Sequence, residues 1–558
     1  MSAETGMKFN QIYANFRGVD FRGDEVNLVR SPDSVNMWKD YKETESIRTR
    51  PSLVLHTAFD KPVYGVFFYN GFMVVHSGTT LYKVVNGSKT VLYTGLAERE
   101  SNSFIYGNVF YFKDGKHYLK YDGSTIENVV GYIPTTSIAR KPNGGGTVHE
   151  DVNMLSPYRI NSFLADGTQF TFCLDAQNID EDYVPICYVN GKKDTEFGVD
   201  YEKGQITFAS LPVAPLTDGQ DNVFIQFRKT VPGHYDRIAK CTLLQVFDNR
   251  VFFSGNPDYP NTLWHCSLED PAYCSDLDYY DEGMDRAAIR GIVAGNNNLW
   301  VFREPSQSNT TVFYHTPTID ATYGKIYPSQ HSSVTTGCTG RAVNFNYDIV
   351  YYSERGMEGI SGDITTEQVV AHRSSLVDRK LTAAAGYEDM ILSEWDGYLL
   401  AIIGEKIFLA DSRATFTNED HFEYEWFSWD MGKRITSART ERGVLYLGAS
   451  DGVYTLTGTG DVESYWTTPK DKFLAPNKLK TTNKRGCVVE AKGDMTVSVK
   501  TDKTDFEPIG SYENITDYCV CRIKRKKWKD IQMKFHSKKR FSLETVTLES
   551  FIGGYIKR

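Results

Sequence analysis

The residues best placed by type and spacing to do chemistry lie near the C-terminus. Arg522 to Lys529 reads RIKRKKWK, six of eight basic, and Lys538-Lys539-Arg540 follows. Clustered Lys and Arg pair with phosphate or carboxylate groups, and Trp528 adds a ring for stacking. The competing reading is a solvated strand and turn on an exposed face. A second concentration is acidic: Glu269 to Asp285 (EDPAYCSDLDYYDEGMD) holds seven Asp or Glu. Asp276, Asp278 and Asp281 would offer a calcium ion the hard oxygens it takes. The EF-hand pattern fails there, with no Gly at its sixth position and no Glu at its twelfth, so a solvated acidic loop is the plainer reading. Cys519-Val520-Cys521 is the one close cysteine pair. On a strand its two thiols share a face, yet no second Cys or His pair stands at ligand spacing. His265-Cys266 and Cys274 are equally isolated, and burial as small hydrophobes is the expectation for all of them.

Motifs for covalent or nucleotide chemistry are missing. No Gly-x-Ser-x-Gly, Walker-type or Gly-x-Gly-x-x-Gly loop occurs, so acyl transfer and phosphate binding have no anchor. The nearest approach to a sialidase repeat, Gly448 to Tyr454 (GASDGVY), lacks the Trp and occurs once, which leaves an Asp-Gly turn. Paired carboxylates for glycoside hydrolysis need only meet in space, so no spacing tests them. Trp264, Trp300, Trp395, Trp426 and Trp429 would stack on sugars if exposed, but they fall in or beside strand patterns, where core packing competes. The chain reads as a non-enzyme without a cofactor or metal.

Charge and composition bound what positions these residues. The chain has 558 residues and a formal charge of −9. From Lys478 to Arg558 there are 19 Lys or Arg against 10 Asp or Glu, a local +9, so the other 477 residues carry −9 − 9 = −18. Thirty-five Tyr, 32 Phe and 8 Trp favour strands. The longest apolar run is about six residues, Tyr398 to Ile403, against the ~18 of a membrane helix. Nine cysteines are too sparse for a disulfide scaffold, which suggests folding in a reducing cytosol. A membrane protein, a secreted precursor and a disordered chain are not expected.

Helical periodicity is nearly absent. Tyr64 to Val85 reads YGVFFYNGFMVVHSGTTLYKVV: three short strands with Asn70-Gly71 and Ser77-Gly78 at the turns. The same pattern returns over 103–121, 241–268, 289–315, 341–362, 381–410 and 435–457. Seven units of three or four strands, most at a spacing of about 40 to 55 residues, fit a β-propeller of about seven blades. A long β-sandwich or paired barrels is the alternative. More than 100 residues separate the second unit from the third; residues 148–232 there read as an inserted β-sandwich module, with Asn143 to Gly146 as a linker. The expected organisation is an N-terminal segment (1–62), a propeller in two parts (63–147 and 233–477) around the module, and a small C-terminal β domain (478–558), which would otherwise lie against the propeller and help close it.

Three stretches resemble one family. Gly18-Val19-Asp20 is followed by Ser31-Pro32-Asp33-Ser34-Val35-Asn36-Met37-Trp38-Lys39-Asp40 and by Ile47-Arg48-Thr49-Arg50-Pro51. This resembles the opening of the tail hub, nozzle or packaged-DNA stabilisation proteins of tailed bacteriophages. Asp248 to Pro257 (DNRVFFSGNP) with Asn261 and Asp270-Pro271, and the ending Phe551 to Lys557 (FIGGYIK), look like the same group. Val189-Asn190-Gly191, Val199-Asp200-Tyr201 and Gln205 to Phe208 are similar to β modules of phage tail and fibre proteins.

The resemblance implies a structural virion component, made in the host cytoplasm and placed in the tail below the head-to-tail adaptor. It would form a ring, with six copies expected, that extends and closes the DNA channel and retains packaged DNA until ejection. The implied partners are further copies of itself, the adaptor, possible tail fibres, and genomic DNA sliding past without sequence-specific contacts. Charge adds a subunit interface: acidic flanks meeting Arg522, Lys524, Arg525, Lys526, Lys527, Trp528 and Lys529 of a neighbour. Met37 and Trp38 belong to an extended arm expected to pack on the propeller or on an adjacent subunit, the alternative being an outer strand completing the last blade. The second functional reading is a propeller-type carbohydrate-active or glycan-binding tail protein.

Overall fold

A computed structural model describes residues 7–42, 46–306, 310–322, 324–360, 370–418, 421–524 and 526–555. Among them strands dominate, and the helices are short pieces at His234–Ala239, Asp378–Leu381 and Tyr387–Asp389. The chain divides into two units, one of residues 1–91 and 332–558, the other of residues 92–331.

Seven four-stranded sheets stand among the described residues, each an up-and-down meander in chain order. Their strands lie within 63–94, 102–128, 243–281, 289–331, 342–372, 391–430 and 435–458, the last completed by Ser52–Ala58. One sheet thus matches each strand-rich unit of the sequence. The fourth strands escaped the pattern, in several sheets because they are short, at the sheet edge and largely exposed, as at Ile126–Asn128, Tyr279–Asp281 and Ser329–His331; His421–Asp430, ten residues long and mostly buried, is an exception.

Period-two alternation explains how these sheets pack. Tyr398–Ile403 is buried along its whole length. Its odd-numbered residues Leu399, Ala401 and Ile403 enter one cluster with Val350, Tyr352 and Met357 of the 342–372 sheet. Tyr398, Leu400 and Ile402 enter another with Leu445 and Leu447 of the 435–458 sheet. In the second unit Val251 and Phe253 face Tyr111 and Tyr118, while Phe252 faces Ile292 and Val301. A strand covered on both faces has no polar side to show, which is why these runs read as continuously apolar. Within each unit the first strands of neighbouring sheets lie side by side: Ile435–Glu441 runs between Val63–Tyr69 and Ile391–Trp395, and Leu243–Phe247 beside Ile289–Gly295.

Residues 135–228 form a six-stranded and a three-stranded sheet around a shared core of Phe163, Phe172, Ile206, Phe208, Ile225 and Phe227. This region begins before residue 148, because Thr135–Arg140 pairs parallel with Tyr158–Phe163. The stretch expected as a linker is the turn of a hairpin: Gly144, Gly145 and Gly146 take positive φ between Thr135–Arg140 and Thr147–Val148, a conformation glycine adopts without steric cost.

The two ends of the chain share one eleven-stranded sheet. Its centre is Lys478–Thr501, flanked by Ile531–Ser537 and Phe541–Tyr555; Met7–Tyr13 pairs antiparallel with Phe541–Tyr555, and Ile47–Thr49, Met37–Lys39 and Ser34–Val35 join it. Residues 1–62 and 478–558 are therefore not separate pieces. The strand that completes the last four-stranded sheet is Ser52–Ala58, just beyond the Ser31–Pro51 segment considered for that role.

The N-terminal segment is held by buried polar groups. Arg30 Nε and Nη2 donate to the two carboxylate oxygens of Glu425, at 2.9 and 2.7 Å, and Glu425 is wholly buried. Asn36, at φ 60°, accepts on Oδ1 from the Asp430 amide and from Arg50 Nε, both at 2.8 Å, and donates from Nδ2 to the Glu463 carbonyl. Arg50 Nη2 donates to the Asp430 carbonyl at 2.7 Å. Removing one partner of a buried ion pair leaves the other charge stranded, a loss of about 3–5 kcal/mol. Glu425→Gln is therefore expected to lower the urea midpoint of the first unit steeply, whereas exchanging the exposed Lys380–Asp33 pair moves it by about 0–1 kcal/mol; equal losses in the two variants would refute this ranking.

A second buried charge makes stability depend on pH. Burial disfavours protonated His372, but its ring contacts Asp378 at 2.6 Å and Glu358 at 3.3 Å, and these push its pKa up to about 10. A raised folded-state value contributes stability fully below the unfolded value of about 6.5 and loses it as pH rises through the folded value. Chemical unfolding at pH 6 and pH 10 should show the first unit weakening with pH, and His372→Gln should flatten that slope; an unchanged slope in the variant would assign it elsewhere.

Candidate functional site

Strand alternation sorts the basic strip into two classes. Cys521, Ile523 and Trp528 point inward. Trp528 meets Phe473 edge-on at 5.3 Å, and its indole N–H donates to Thr482 Oγ1 at 3.1 Å. Arg522, Lys524, Lys527 and Lys529 are exposed, and their side chains form no ion pair among the described residues. The backbone beneath is fixed: Lys503 Nζ donates to the Lys527 carbonyl at 2.6 Å, and the Lys529 amide donates to Asp502 Oδ1 at 2.7 Å. Arg525 lies outside the described residues, and Lys526 opens the short strand Lys526–Trp528. The strip thus presents free cations from an anchored main chain, while Trp528 is withdrawn from any stacking role.

Met37 and Trp38 correct the interface expectation further. Met37 is sealed in the core of the eleven-stranded sheet with Trp466 and Phe535. Trp38 lies 5.4, 5.8 and 5.7 Å from the rings of Trp395, Tyr398 and Trp429. Both are spent within the chain because the Met37–Lys39 strand is sandwiched between the sheets it joins, leaving no surface for a second subunit. Trp264, Trp300, Trp395, Trp426 and Trp429 are likewise buried and offer no sugar platform.

The acidic stretch 269–285 disperses. Asp281 accepts from Thr262 Oγ1 at 2.6 Å, Asp285 pairs with Arg303, and Glu282 meets His315 Nε2 at 2.8 Å. Asp278 instead lines a cleft of about 700 Å³ in the second unit, with Tyr132, Asp151, Arg250, His265, Tyr273 and Tyr280 among its walls. His265 Nδ1 lies 3.0 Å from the Cys266 carbonyl; a carbonyl only accepts, so that nitrogen carries the proton. Burial lowers the His265 pKa and raises that of Asp278, with the neighbouring His265 and Arg250 opposing the latter rise. No group of three His, Cys, Asp or Glu side chains able to hold a metal ion occurs among the described residues. The central strand of the eleven-stranded sheet, Lys478–Thr501, does bring Cys487 opposite Cys521, with Cys519 Sγ 3.9 Å from Cys521 Sγ. Spacing alone concealed Cys487, which lies 32 residues upstream of Cys519.

Sequence reasoning missed Arg30, Asn36, Arg50 and Glu425 as a unit. Asn36 and Arg50 lie in the runs that carry the family resemblance and Arg30 immediately precedes one of them, but only the fold reveals that Glu425 and Asp430 receive them.

No family model and no curated protein sequence matches the chain. Among solved structures it is similar to BamB from Moraxella catarrhalis, at 11% identity and a TM-score of 0.34, over 73% of this chain and 96% of that one. It is also similar to YCF48 bound to D1 peptide, at 6% and 0.34 over 73% and 97%, and to the exo-β-1,3-galactanase of Phanerochaete chrysosporium, at 7% and 0.23 over 92% and 100%.

The Gly18 of the Gly-Val-Asp stretch has a steric reason. A Cβ there would lie 2.4 Å from the Trp426 carbonyl oxygen, a backbone atom of the strand that carries Glu425. Gly18→Ala should cost about 1–3 kcal/mol through overpacking, whereas Gly23→Ala, where φ is not positive and no atom lies within 4 Å, should cost little. Thermal unfolding of the pair tests this, and a Gly18→Ala protein as stable as the parent would show the contact to be soft.

Proposed function

We propose that the chain is a non-enzymatic structural protein of a tailed-bacteriophage tail, of the hub or nozzle type. Its seven four-stranded sheets are the blades of a β-propeller, closed by Ser52–Ala58 in the last blade; residues 135–228 are an inserted β-sandwich, and the eleven-stranded sheet joins both chain ends. Copies assemble into a ring, six by the family resemblance, below the head-to-tail adaptor. The ring extends and closes the channel and holds packaged DNA until ejection.

The observation that carries this reading is where the resembling residues go. Gly18, Ser31, Asn36, Met37 and Arg50 are consumed by backbone docking, buried hydrogen bonds and core packing, and none opens onto a site for chemistry. Such a use suits a protein whose product is its shape. Charge supports the ring: Arg522, Lys524, Lys527 and Lys529 are free cations in a segment, 478–558, that carries +9, while residues 1–477 sum to −18, so a neighbour's acidic flank is their natural counterpart. The same acidic excess along a channel would let DNA slide rather than adhere.

Light scattering on the purified chain, alone and with the adaptor of its virion, should give a mass near six copies, or one that appears only with the adaptor. Charge reversal of Arg522, Lys524, Lys527 and Lys529 to Glu should weaken assembly and remove its salt sensitivity while leaving the circular dichroism of the chain unchanged. A monomer indifferent to the adaptor would sink the tail-ring reading, and undiminished assembly of the reversed variant would sink its electrostatic interface.

A further inference from the structure

The cleft of the second unit contains one acidic group unlike its neighbours. Glu150 accepts from the Tyr132 hydroxyl at 3.0 Å and from the Thr135 amide at 2.5 Å. Asp151 accepts from Ser275 Oγ at 3.2 Å, and Asp270 from the Ala272 amide at 2.9 Å. Asp278 receives no hydrogen bond among the described residues; its nearest polar side chain is His265, with Nδ1 3.9 Å from Oδ2, and that nitrogen is committed to the Cys266 carbonyl. With about a third of its side chain open to solvent and no protein donor on it, the Asp278 carboxylate is available to the donors of a guest.

Its surroundings narrow the class of molecule that would complete it. Arg250 is on the same wall, with Nη1 donating to the Cys266 carbonyl at 3.1 Å, so a donor and an acceptor stand together. At the mouth Tyr132 and Tyr273 form a tilted ring pair 5.3 Å apart, fixed through Tyr132 to Glu150 and through the Tyr273 hydroxyl to the Asp151 carbonyl at 2.9 Å. The Tyr132 ring is exposed. Four carboxylates oppose an anionic guest. A wholly apolar guest would leave Asp278 unpaired and desolvated. Arg250 and Lys325 on the walls oppose a cation at the inner end. A neutral polyhydroxylated ring meets every condition: its hydroxyls donate to Asp278 and accept from Arg250, and its C–H face covers a tyrosine ring. About 700 Å³ falls within the range of small-molecule sites.

We propose that this cleft binds a neutral saccharide, with Asp278 and Arg250 holding vicinal hydroxyls and Tyr132 and Tyr273 flanking the ring. The site is independent of the basic strip and of ring assembly, and no bond is made or broken in it.

The test is calorimetric and NMR titration of the full chain with glucose, galactose, mannose, N-acetylglucosamine and their β-1,4-linked disaccharides, with tetralysine as the cationic control. At least one saccharide is expected to bind, and Asp278→Ala to weaken it by about tenfold or more, the worth of one hydrogen bond to a charged group. Tyr273→Phe, which keeps the ring, should bind nearly as the parent does, and Tyr132→Ala more weakly. Unchanged circular dichroism and melting would separate lost binding from lost folding. Binding by tetralysine alone, binding by no member of the panel, or saccharide binding indifferent to both Asp278→Ala and Tyr132→Ala would each overturn the proposal.

Discussion

The architecture of the first unit depends on a buried ion pair, Arg30 with Glu425. A carboxylate removed from water is tolerated only when its oxygens are satisfied, and here one guanidinium supplies both bonds with the planar fork geometry that lysine lacks. Around it, Asn36 and Arg50 close a hydrogen-bonded knot on the main chain at Ser428 and Asp430. This knot joins a segment near residue 30 to a strand near residue 425. The segment then continues into the eleven-stranded sheet. Hydrophobic contact alone would allow that segment to slide by a residue; directional bonds to backbone atoms fix its register.

Covering strands on both faces is the second organising constraint. A sheet of four short strands has too little area to bury one face well, and stacking sheets converts both faces into core. The aromatic surplus follows from this. Stacked sheets leave spaces broad enough for Trp426, Trp429 and Trp300, all fully buried; Trp429 meets Trp38 edge-to-face and Trp300 packs on Tyr314 at a tilt.

Much of this was legible from residue order. Asn-Gly and Asp-Gly pairs marked turns at Asn70-Gly71 and Asp451-Gly452, and a hairpin stands at each. The outer strands were not legible, because a three-residue exposed strand such as Ile126–Asn128 has no alternation to display. The Gly-rich run at 144–146 was misread because composition does not distinguish a flexible connection from a tight turn that needs positive φ. Of the basic strip, alternation would have separated Trp528 from the exposed lysines, had the strand been placed first. The Arg30–Glu425 pair and the cleft at Asp278 had no local signal at all, since each joins residues tens to hundreds of positions apart.

The strand Ser52–Ala58 ties the order of synthesis to the order of folding. Its Ala58 registers with Gly452, a separation of 452 − 58 = 394 residues. At about 5–20 residues per second, Ser52–Ala58 waits roughly 20–80 s on the ribosome for its partner. Through that interval the final sheet has three of its four members unmade, and Ser52–Ala58 is an open edge able to pair with another nascent chain. Leu53, Val54 and Leu55 give that edge an apolar character, interrupted by His56 and Thr57, and this character favours such pairing. Chains truncated anywhere before residue 452 would keep the edge permanently open, so only a chain made through the 452–458 strand can cover Ser52–Ala58.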